Sequence, residues 1–157
     1  MPSVGCVHFE RMPIEKKLTE WERSNLLTQN NVEQNGILHN LKTDKDTYKV
    51  GKEVAISLEI TNNTDAIIDM AFCESPETDL RISKNGKIIY TEIHMYIYLR
   101  EFKIAPRKTK IFRKTWNQKE YNRGTQVQPG EYKIIISLSA NKEEYKVPVS
   151  KNINIVE

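Results

Sequence analysis

The feature that most constrains the fold of this chain is a strict alternation of apolar and polar residues near its middle. Between positions 54 and 61 every second residue is apolar, namely Val54, Ile56, Leu58 and Ile60. Successive side chains of a β-strand point to opposite faces, so this pattern places all four on one buried face. The alternation therefore predicts a strand of an antiparallel sheet, since such sheets commonly bury one face and expose the other.

Other short segments of β-type composition occur from Ile37 onward, and the 3.6-residue period of a helix does not return. They are residues 38–42, 67–72, 80–83, 87–91, 95–99, 110–116, 133–138, 145–149 and 152–156. Many short strands without intervening helices are typical of a sandwich and argue against a parallel α/β sheet. We therefore predict an all-β fold, an immunoglobulin-like antiparallel β-sandwich.

Two local signals support this fold. Asn85-Gly86 stands between two β-rich segments, and this dipeptide favours the type I′ turn whose twist matches that of its strands. Pro129-Gly130 precedes Tyr132 at the start of a strand, as in the tyrosine corner of sandwich domains. Both signals predict tight connections between neighbouring strands.

The N-terminal part of the chain has a different pattern. Residues 13–24 carry apolar side chains at helical spacing after a proline that suits a first helical turn. Residues 24–36 are rich in Asn and Gln, which is typical of a polar linker. We predict a short N-terminal helical extension, residues 1–36, followed by the sandwich domain, residues 37–157.

Cysteine content and hydropathy favour a cytoplasmic protein. Cys6 and Cys73 are the two cysteines, and a pair so far apart is neither a disulfide framework nor a metal cluster, so we expect free thiols. No run approaches the roughly 18 apolar residues of a membrane span, and residues 1–10 lack the apolar region of a secretory signal. The motif Ser3-Val4-Gly5-Cys6 resembles the end of a lipoprotein signal. A lipid-anchored or extracytoplasmic protein is therefore the alternative if the start is truncated.

The sequence contains none of the common catalytic or metal-binding motifs. His8, His39 and His94 do not stand at metal-ligand spacing with one another or with cysteines and carboxylates. There is no Gly-x-Ser-x-Gly elbow, no His-Glu-x-x-His pair and no glycine-rich phosphate loop. We therefore expect no catalytic residue, no metal site and no cofactor.

Positive charge is concentrated in one part of the chain. Residues 81–123 carry 12 Lys and Arg against 3 Asp and Glu, although the net charge of the whole chain is only +3. Aromatic residues are interleaved with these cations, as they are in proteins that bind single-stranded nucleic acid. Alternation assigns Phe112, Lys114 and Trp116 to the opposite face from Arg113, so some of these aromatics belong to the core. The predicted basic face consists of Arg107, Lys108, Lys110, Arg113 and Lys114.

The order of motifs in the second half of the chain carries a family resemblance. The motifs are Leu80-Arg81-Ile82, the Asn85-Gly86 turn, Lys87-Ile88-Ile89-Tyr90, a Tyr-rich extended piece, residues 111–116 and Pro129-Gly130-Glu131-Tyr132. In this order they resemble the BsuPI-type intracellular proteinase inhibitors. The likeness includes residues 54–62 and covers roughly residues 38–140. It implies an immunoglobulin-like sandwich and, for some relatives, inhibition of an intracellular subtilisin-like serine protease, and it assigns no reactive-site residue.

Two predicted loops would suit a protein partner. Residues 117–128 form the longer one and contain Tyr121 and Arg123, residue types that are enriched at interface hot spots. The loop at residues 73–78 is stiffened by Pro76, and its acidic residue Glu77 would suit a basic partner.

The sequence therefore predicts a non-catalytic, protein-binding β-sandwich, and inhibition of a serine protease is the most specific form of that function. The alternatives are an adaptor module without inhibitory activity and a nucleic-acid-binding protein that uses the basic face within residues 100–123. The oligomeric state is left open.

Overall fold

The computed structural model describes residues 28–121 and 124–157, and its regular structure consists of β-strands and one short 3₁₀ turn, Glu143–Tyr145. The strands are β1 Asn31–Gln34, β2 Ile37–Thr43, β3 Thr47–Lys49, β4 Val54–Asn62, β5 Ile68–Ser75, β6 Thr78–Lys84, β7 Lys87–Thr91, β8 Met95–Ile104, β9 Thr109–Trp116, β10 Gly130–Leu138 and β11 Val149–Val156. The prediction of an all-β fold is confirmed. The helix predicted at residues 13–24 lies outside the described residues.

The strands form two main sheets and a two-stranded extension. One sheet has the order β1-β2-β4-β9, the other has the order β3-β11-β10-β6-β7, and β5 pairs with β8. Neighbouring strands are antiparallel, except that β3 runs parallel to β11. The predicted antiparallel arrangement is therefore wrong at this edge of the sheet, where β3 is a short parallel strand.

The core lies between the two main sheets, and the alternation read from the sequence generates it. Every second residue of β4 is buried, from Val54 to Ile60, as the sequence predicts. Strand β10 of the other sheet contributes Tyr132, Ile134, Ile136 and Leu138 to the same cluster. Burying one such side chain stabilises the fold by about 1.5–3 kcal/mol, so facing rows of this kind hold the layers together.

Two Asn-Gly turns connect neighbouring strands. Asn85 and Gly86 have φ values of 52° and 78° and join β6 to β7, which confirms the predicted hairpin. Asn35 and Gly36 have φ values of 54° and 76° and join β1 to β2 in the same way. The interpretation of residues 31–36 as a linker is therefore wrong, because this polar segment forms a mostly exposed edge hairpin.

The end of the chain differs from its predicted form. Residues 145–149 and 152–156 were expected to be two strands, but one strand, β11, begins at Val149. Pro148 has no amide hydrogen to donate to a ladder, which explains why pairing starts after it.

A hydroxyl group fixes the start of β10. The Tyr132 hydroxyl donates a 2.6 Å hydrogen bond to the Gln128 carbonyl, which is the arrangement of a tyrosine corner. Its ring packs 5.9 Å from that of Trp116 on the opposite sheet. The turn before β10 is thus held to the core through one side chain.

We predict that Tyr132→Phe lowers the free energy of unfolding by about 1 kcal/mol. The ring stays, and the variant loses the short bond to Gln128 and a weaker 3.3 Å bond that the hydroxyl accepts from the Lys84 ammonium. Urea denaturation measures the change. Tyr98→Phe is the matched control, since Tyr98 is mostly exposed and its variant should lie within about 0.5 kcal/mol of the wild type. Equal stability of the two variants would contradict a role for the corner hydrogen bond.

His39 is a buried polar residue in strand β2. It is fully shielded from solvent, and among the described residues neither ring nitrogen has a hydrogen-bond partner. Burial lowers its pKa to about 4, since the charged imidazolium is disfavoured away from water. The unfolded chain therefore binds a proton at this residue from pH 6.5 downward, whereas the folded chain does not until the pH reaches about 4.

We therefore predict that protonation of His39 destabilises the protein as the pH falls from 7.5 to 4.5. Comparison with His39→Leu isolates this effect, because the variant lacks the titrating group. Over that interval the wild type should lose on the order of 2 kcal/mol more stability than the variant. Denaturant titrations at the two pH values test this, and parallel losses would show that His39 is not buried in its neutral form.

Candidate functional site

The β5–β6 turn, the β7–β8 connection and the first half of β8 lie together at one end of the two-stranded sheet. Ser75 pairs with Met95 and Glu74 pairs with Tyr96 across the two strands. The Glu92 amide donates to the Leu80 carbonyl, which ties the connection to β6. Segments that are far apart in sequence thus form one continuous surface.

A buried carboxylate anchors this surface. Glu92 is 7% exposed, and one of its oxygens accepts hydrogen bonds from the Thr78 hydroxyl at 2.9 Å and the Leu80 amide at 3.0 Å. Its other oxygen lies 2.6 Å from the Lys114 ammonium of β9. Burial raises the pKa of Glu92, and its hydrogen bonds to Lys114, Thr78 and Leu80 oppose that rise. Through these contacts Glu92 joins both main sheets to the β7–β8 connection.

Arg100 holds β8 to the β5–β6 turn. One guanidinium nitrogen donates to a Glu77 carboxylate oxygen at 2.6 Å, and another donates to the Glu74 carbonyl at 3.0 Å. His94 Nδ1 lies 2.8 Å from a Glu74 carboxylate oxygen. These contacts brace the stretch between His94 and Arg100 at both of its ends.

Strand β8 carries a large bulge between the contacts at His94 and Arg100. Phe72 pairs with Arg100, but the next pair is Glu74 with Tyr96, so residues 97–99 stand opposite the single residue Cys73. Bulges of this kind interrupt the ladder and redirect side chains. Tyr98 is 79% exposed here and Leu99 is 39% exposed.

We call residues 93–99 the apolar ridge. Besides Tyr98 and Leu99 it presents Ile93, which is 63% exposed, and Met95, which is 68% exposed. The segment contains no Lys, Arg, Asp or Glu. Sequence reasoning predicted an extended Tyr-rich piece here, which is confirmed, but it did not single these residues out. The signal in the sequence was that residues 95–99 are all apolar or aromatic, with no alternating polar residue. A strand with one face in water cannot bury every side chain of such a run.

Cys73 is disulfide-bonded, so the prediction that it is a free thiol is wrong. It is buried on β5, and its sulfur also accepts a 3.2 Å hydrogen bond from the Asn141 side chain. The prediction relied on separation along the chain, which does not decide whether a thiol is free. Cys6 lies outside the described residues.

The predicted loop at residues 117–128 is not a freely exposed loop. Gln118 is fully buried, donates to the carbonyls of Lys49 and Lys52 at 2.9 and 2.8 Å, and accepts from the Gly51 amide at 3.1 Å. Tyr121 is half-buried, and its amide donates to the Ile89 carbonyl. Arg123 lies outside the described residues.

Pro76 and Glu77 make up the whole β5–β6 turn, which is shorter than the predicted loop of residues 73–78. Ser139 fixes both of them, since its hydroxyl donates to the Pro76 carbonyl and its amide donates to the Glu77 carbonyl, each at 2.8 Å. The Glu77 carboxylate is paired with Arg100. The turn is therefore rigid, and its acidic group is already neutralised.

The residues of the predicted basic face do not share one face. Lys114 pairs with Glu92, and Arg107 pairs with Asp65 at 2.8 Å. The remaining members differ in their surroundings: Lys110 lies 4.4 Å from the Phe102 ring centre, whereas Lys108 and Arg113 are exposed. The predicted alternation along β9, which places Phe112, Lys114 and Trp116 on the opposite face from Arg113, is confirmed.

No group of His, Cys, Asp and Glu side chains within the described residues is arranged to hold a metal ion. No helix in that part of the chain is long and apolar enough to span a membrane. The site combines a braced backbone with exposed apolar side chains, which is chemistry for binding a partner.

The fold is that of a two-layered, all-β domain. The chain belongs to the BsuPI family of intracellular proteinase inhibitors, whose family model matches residues 41–143. The resemblance inferred from the motifs is therefore confirmed. Proteins of this family are inhibitors and not catalysts, which also confirms the prediction that the protein is not an enzyme.

The chain is distantly similar to several solved structures. The CARDB domain of PF1109 from Pyrococcus furiosus is 16% identical with a TM-score of 0.44, and the match covers 83% of this chain and 93% of that one. A β-glucosidase from Erythrobacter marinus is 12% identical with a TM-score of 0.48 over 76% of this chain. The DNA glycosylase AlkC from Pseudomonas fluorescens is 12% identical with a TM-score of 0.47 over 77% of this chain.

The matched part spans 15% of the length of that β-glucosidase and 30% of that of the glycosylase. At these scores none of the three carries an argument about function. No curated protein matches the sequence.

We predict that Arg100→Met loosens the apolar ridge, because it removes two charge-assisted hydrogen bonds at a mostly buried position. The free energy of unfolding should fall by about 1–3 kcal/mol, and amide hydrogen exchange over residues 96–100 should accelerate. Lys103→Met on the same strand is the control, since its pair with Asp69 is 3.6 Å long and exposed. Equal exchange in both variants would show that Arg100 does not brace the ridge.

Proposed function

We propose that the protein inhibits an intracellular subtilisin-like serine protease by binding to it as an intact domain. The observation that carries the proposal is membership of the BsuPI family over most of the described chain. The family description supports protease inhibition in general, and the subtilisin-like type of target is our proposal.

The architecture fits the physical demands on such an inhibitor. A protein that binds a protease must present a surface that is held in place before binding, because ordering a flexible loop costs affinity. It must also avoid being cut. The turn formed by Pro76 and Glu77 meets both demands through its bonds to Ser139 and Arg100.

Both segments predicted to contact a partner remain candidates. The turn of Pro76 and Glu77 lies beside the apolar ridge, because Arg100 of β8 bonds to both Glu77 and Glu74. Tyr121 adjoins β7, because its amide donates to the Ile89 carbonyl, and Arg123 lies outside the described residues. We favour the first as part of the binding surface, since it is continuous with exposed apolar side chains.

Nucleic-acid binding is not the function we propose. Lys114 and Arg107 are each paired with a carboxylate, which leaves less positive charge for phosphates than the sequence indicates. The cytoplasm is our proposed location, following the description of the family as intracellular. A disulfide such as that at Cys73 is uncommon in a reducing compartment, and this observation speaks against the proposed location.

The test is a titration of a purified subtilisin-like intracellular serine protease with the full chain, using a chromogenic peptide substrate. We expect dose-dependent loss of activity with an inhibition constant below about 1 μM, within the range of protease–inhibitor complexes of standard size. A denaturing gel should show the inhibitor chain intact after the assay. A protease of the metallo class serves as the control and should keep its activity.

Two results would contradict the proposal. One is full protease activity at saturating protein across several serine proteases. The other is apparent inhibition that fades as the chain is digested, because this is the behaviour of a competing substrate.

A further inference from the structure

We propose that the apolar ridge, residues 93–99, is the surface that enters the substrate cleft of the target protease, with Tyr98 as its anchor. This inference rests on the proposed function and adds to it the contact residues and the chemistry of the partner site. That site is an apolar cleft with a pocket for an aromatic side chain.

The exposed apolar side chains of the described residues are concentrated on the ridge. Eight large hydrophobic residues are exposed within the described residues, and four of them lie on the ridge: Ile93, Met95, Tyr98 and Leu99. Of the others, Ile67 precedes β5, Ile111 lies on β9, and Val50 and Val156 adjoin where the Val50 amide donates to the Val156 carbonyl. Small numbers of exposed apolar residues are normal for a protein surface, whereas the ridge gathers four in one short segment. A cluster of this kind marks an interaction site, because leaving it in water costs free energy that a partner can recover.

The shape of the ridge suits a cleft. Three residues of β8 stand opposite one residue of β5, so the surplus chain bulges outward at Tyr98 and Leu99. A flat interface between two copies would not need such a projection, whereas a protease cleft receives one. Tyr is among the residue types that dominate binding energy when they fill a pocket.

Hydrogen bonds and ion pairs at the two ends of the ridge supply the rigidity that inhibition needs. Arg100 bonds to Glu77 and to the Glu74 carbonyl at its end, His94 contacts Glu74 at its start, and Glu92 is buried just before it. These contacts act on both sides of the bulge. The ridge is therefore held in its exposed conformation before a partner arrives, which lowers the entropy cost of binding.

The chemistry of the ridge defines the partner. The segment has no charged Lys, Arg, Asp or Glu side chain, and the ions beneath it are paired with one another. An acidic or basic substrate site would gain nothing from this surface and would lose its own hydration. A cleft that normally binds large apolar side chains of a peptide gains the full burial of Tyr98 and Leu99.

The experiment compares variants in the same protease titration. Tyr98→Ala should raise the inhibition constant by about 30-fold or more, the size expected of a hot-spot residue. Tyr98→Phe keeps the ring and should stay within about threefold of the wild type, and Tyr121→Ala tests the competing loop. Ile67→Ser is the matched control, since Ile67 is 62% exposed but precedes the opposite end of β5, and it should change inhibition less than about twofold.

Each outcome has one meaning. If the wild type inhibits and Tyr98→Ala inhibits equally well, the ridge is not the contact surface and this inference is overturned, although the proposed function stands. If the wild type does not inhibit at all, the proposed function fails first. Circular dichroism and thermal melts confirm that the variants are folded.

Light scattering provides a second measurement. A dimer that Tyr98→Ala breaks without any loss of inhibition would assign the ridge to self-association and overturn the inference. A monomeric wild type whose Tyr98→Ala variant loses inhibition supports it.

Discussion

The arrangement of this protein depends on one buried carboxylate. A charge removed from water is costly unless it is paired and hydrogen-bonded, so Glu92 must keep its contacts with Thr78, Leu80 and Lys114. Those contacts reach both main sheets. They therefore fix where the chain leaves β7 and enters β8, and with that the position of the apolar ridge.

The hydrophobic core and the ionic contacts have different roles in this design. Facing apolar rows on β4 and β10 hold the layers together without specifying what lies at their ends. Directional contacts at Arg100 and His94 specify the end that carries exposed Tyr98 and Leu99. The stable part of the molecule thus acts as a platform, and a few paired charges shape the surface that we propose binds the protease.

Sequence patterns predict the parts of this fold that rest on local physics. The alternation of β4, the Asn85-Gly86 hairpin and the corner at Tyr132 each involve residues close in the chain, and each is confirmed. The hairpin at Asn35-Gly36 was not predicted, because its flanking strand β1 is mostly exposed and therefore lacks an apolar period. The burial of Gln118 was not predicted for a related reason. A polar side chain that bonds to carbonyls distant in the sequence leaves no hydropathy signal.

The candidate site was harder to predict because it depends on pairing across the chain. Nothing near Lys114 indicates that Glu92 will neutralise it, and nothing near Glu77 indicates that Arg100 will. The bulge at residues 97–99 is a property of register between β5 and β8, which composition does not determine. Motif order nevertheless identified the family, because it records the succession of strands and turns and not their contacts.

Hydrogen exchange of the protein alone and in complex with an inactivated subtilisin-like protease, whose nucleophilic serine is replaced by alanine, shows whether the apolar ridge contacts the protease. We expect bound protease to slow exchange over residues 93–100 and in the adjoining turn at Pro76 and Glu77, while the edge strand β1 is unchanged. Slowing confined to residues 117–128, or no slowing anywhere at saturating protease, would contradict it.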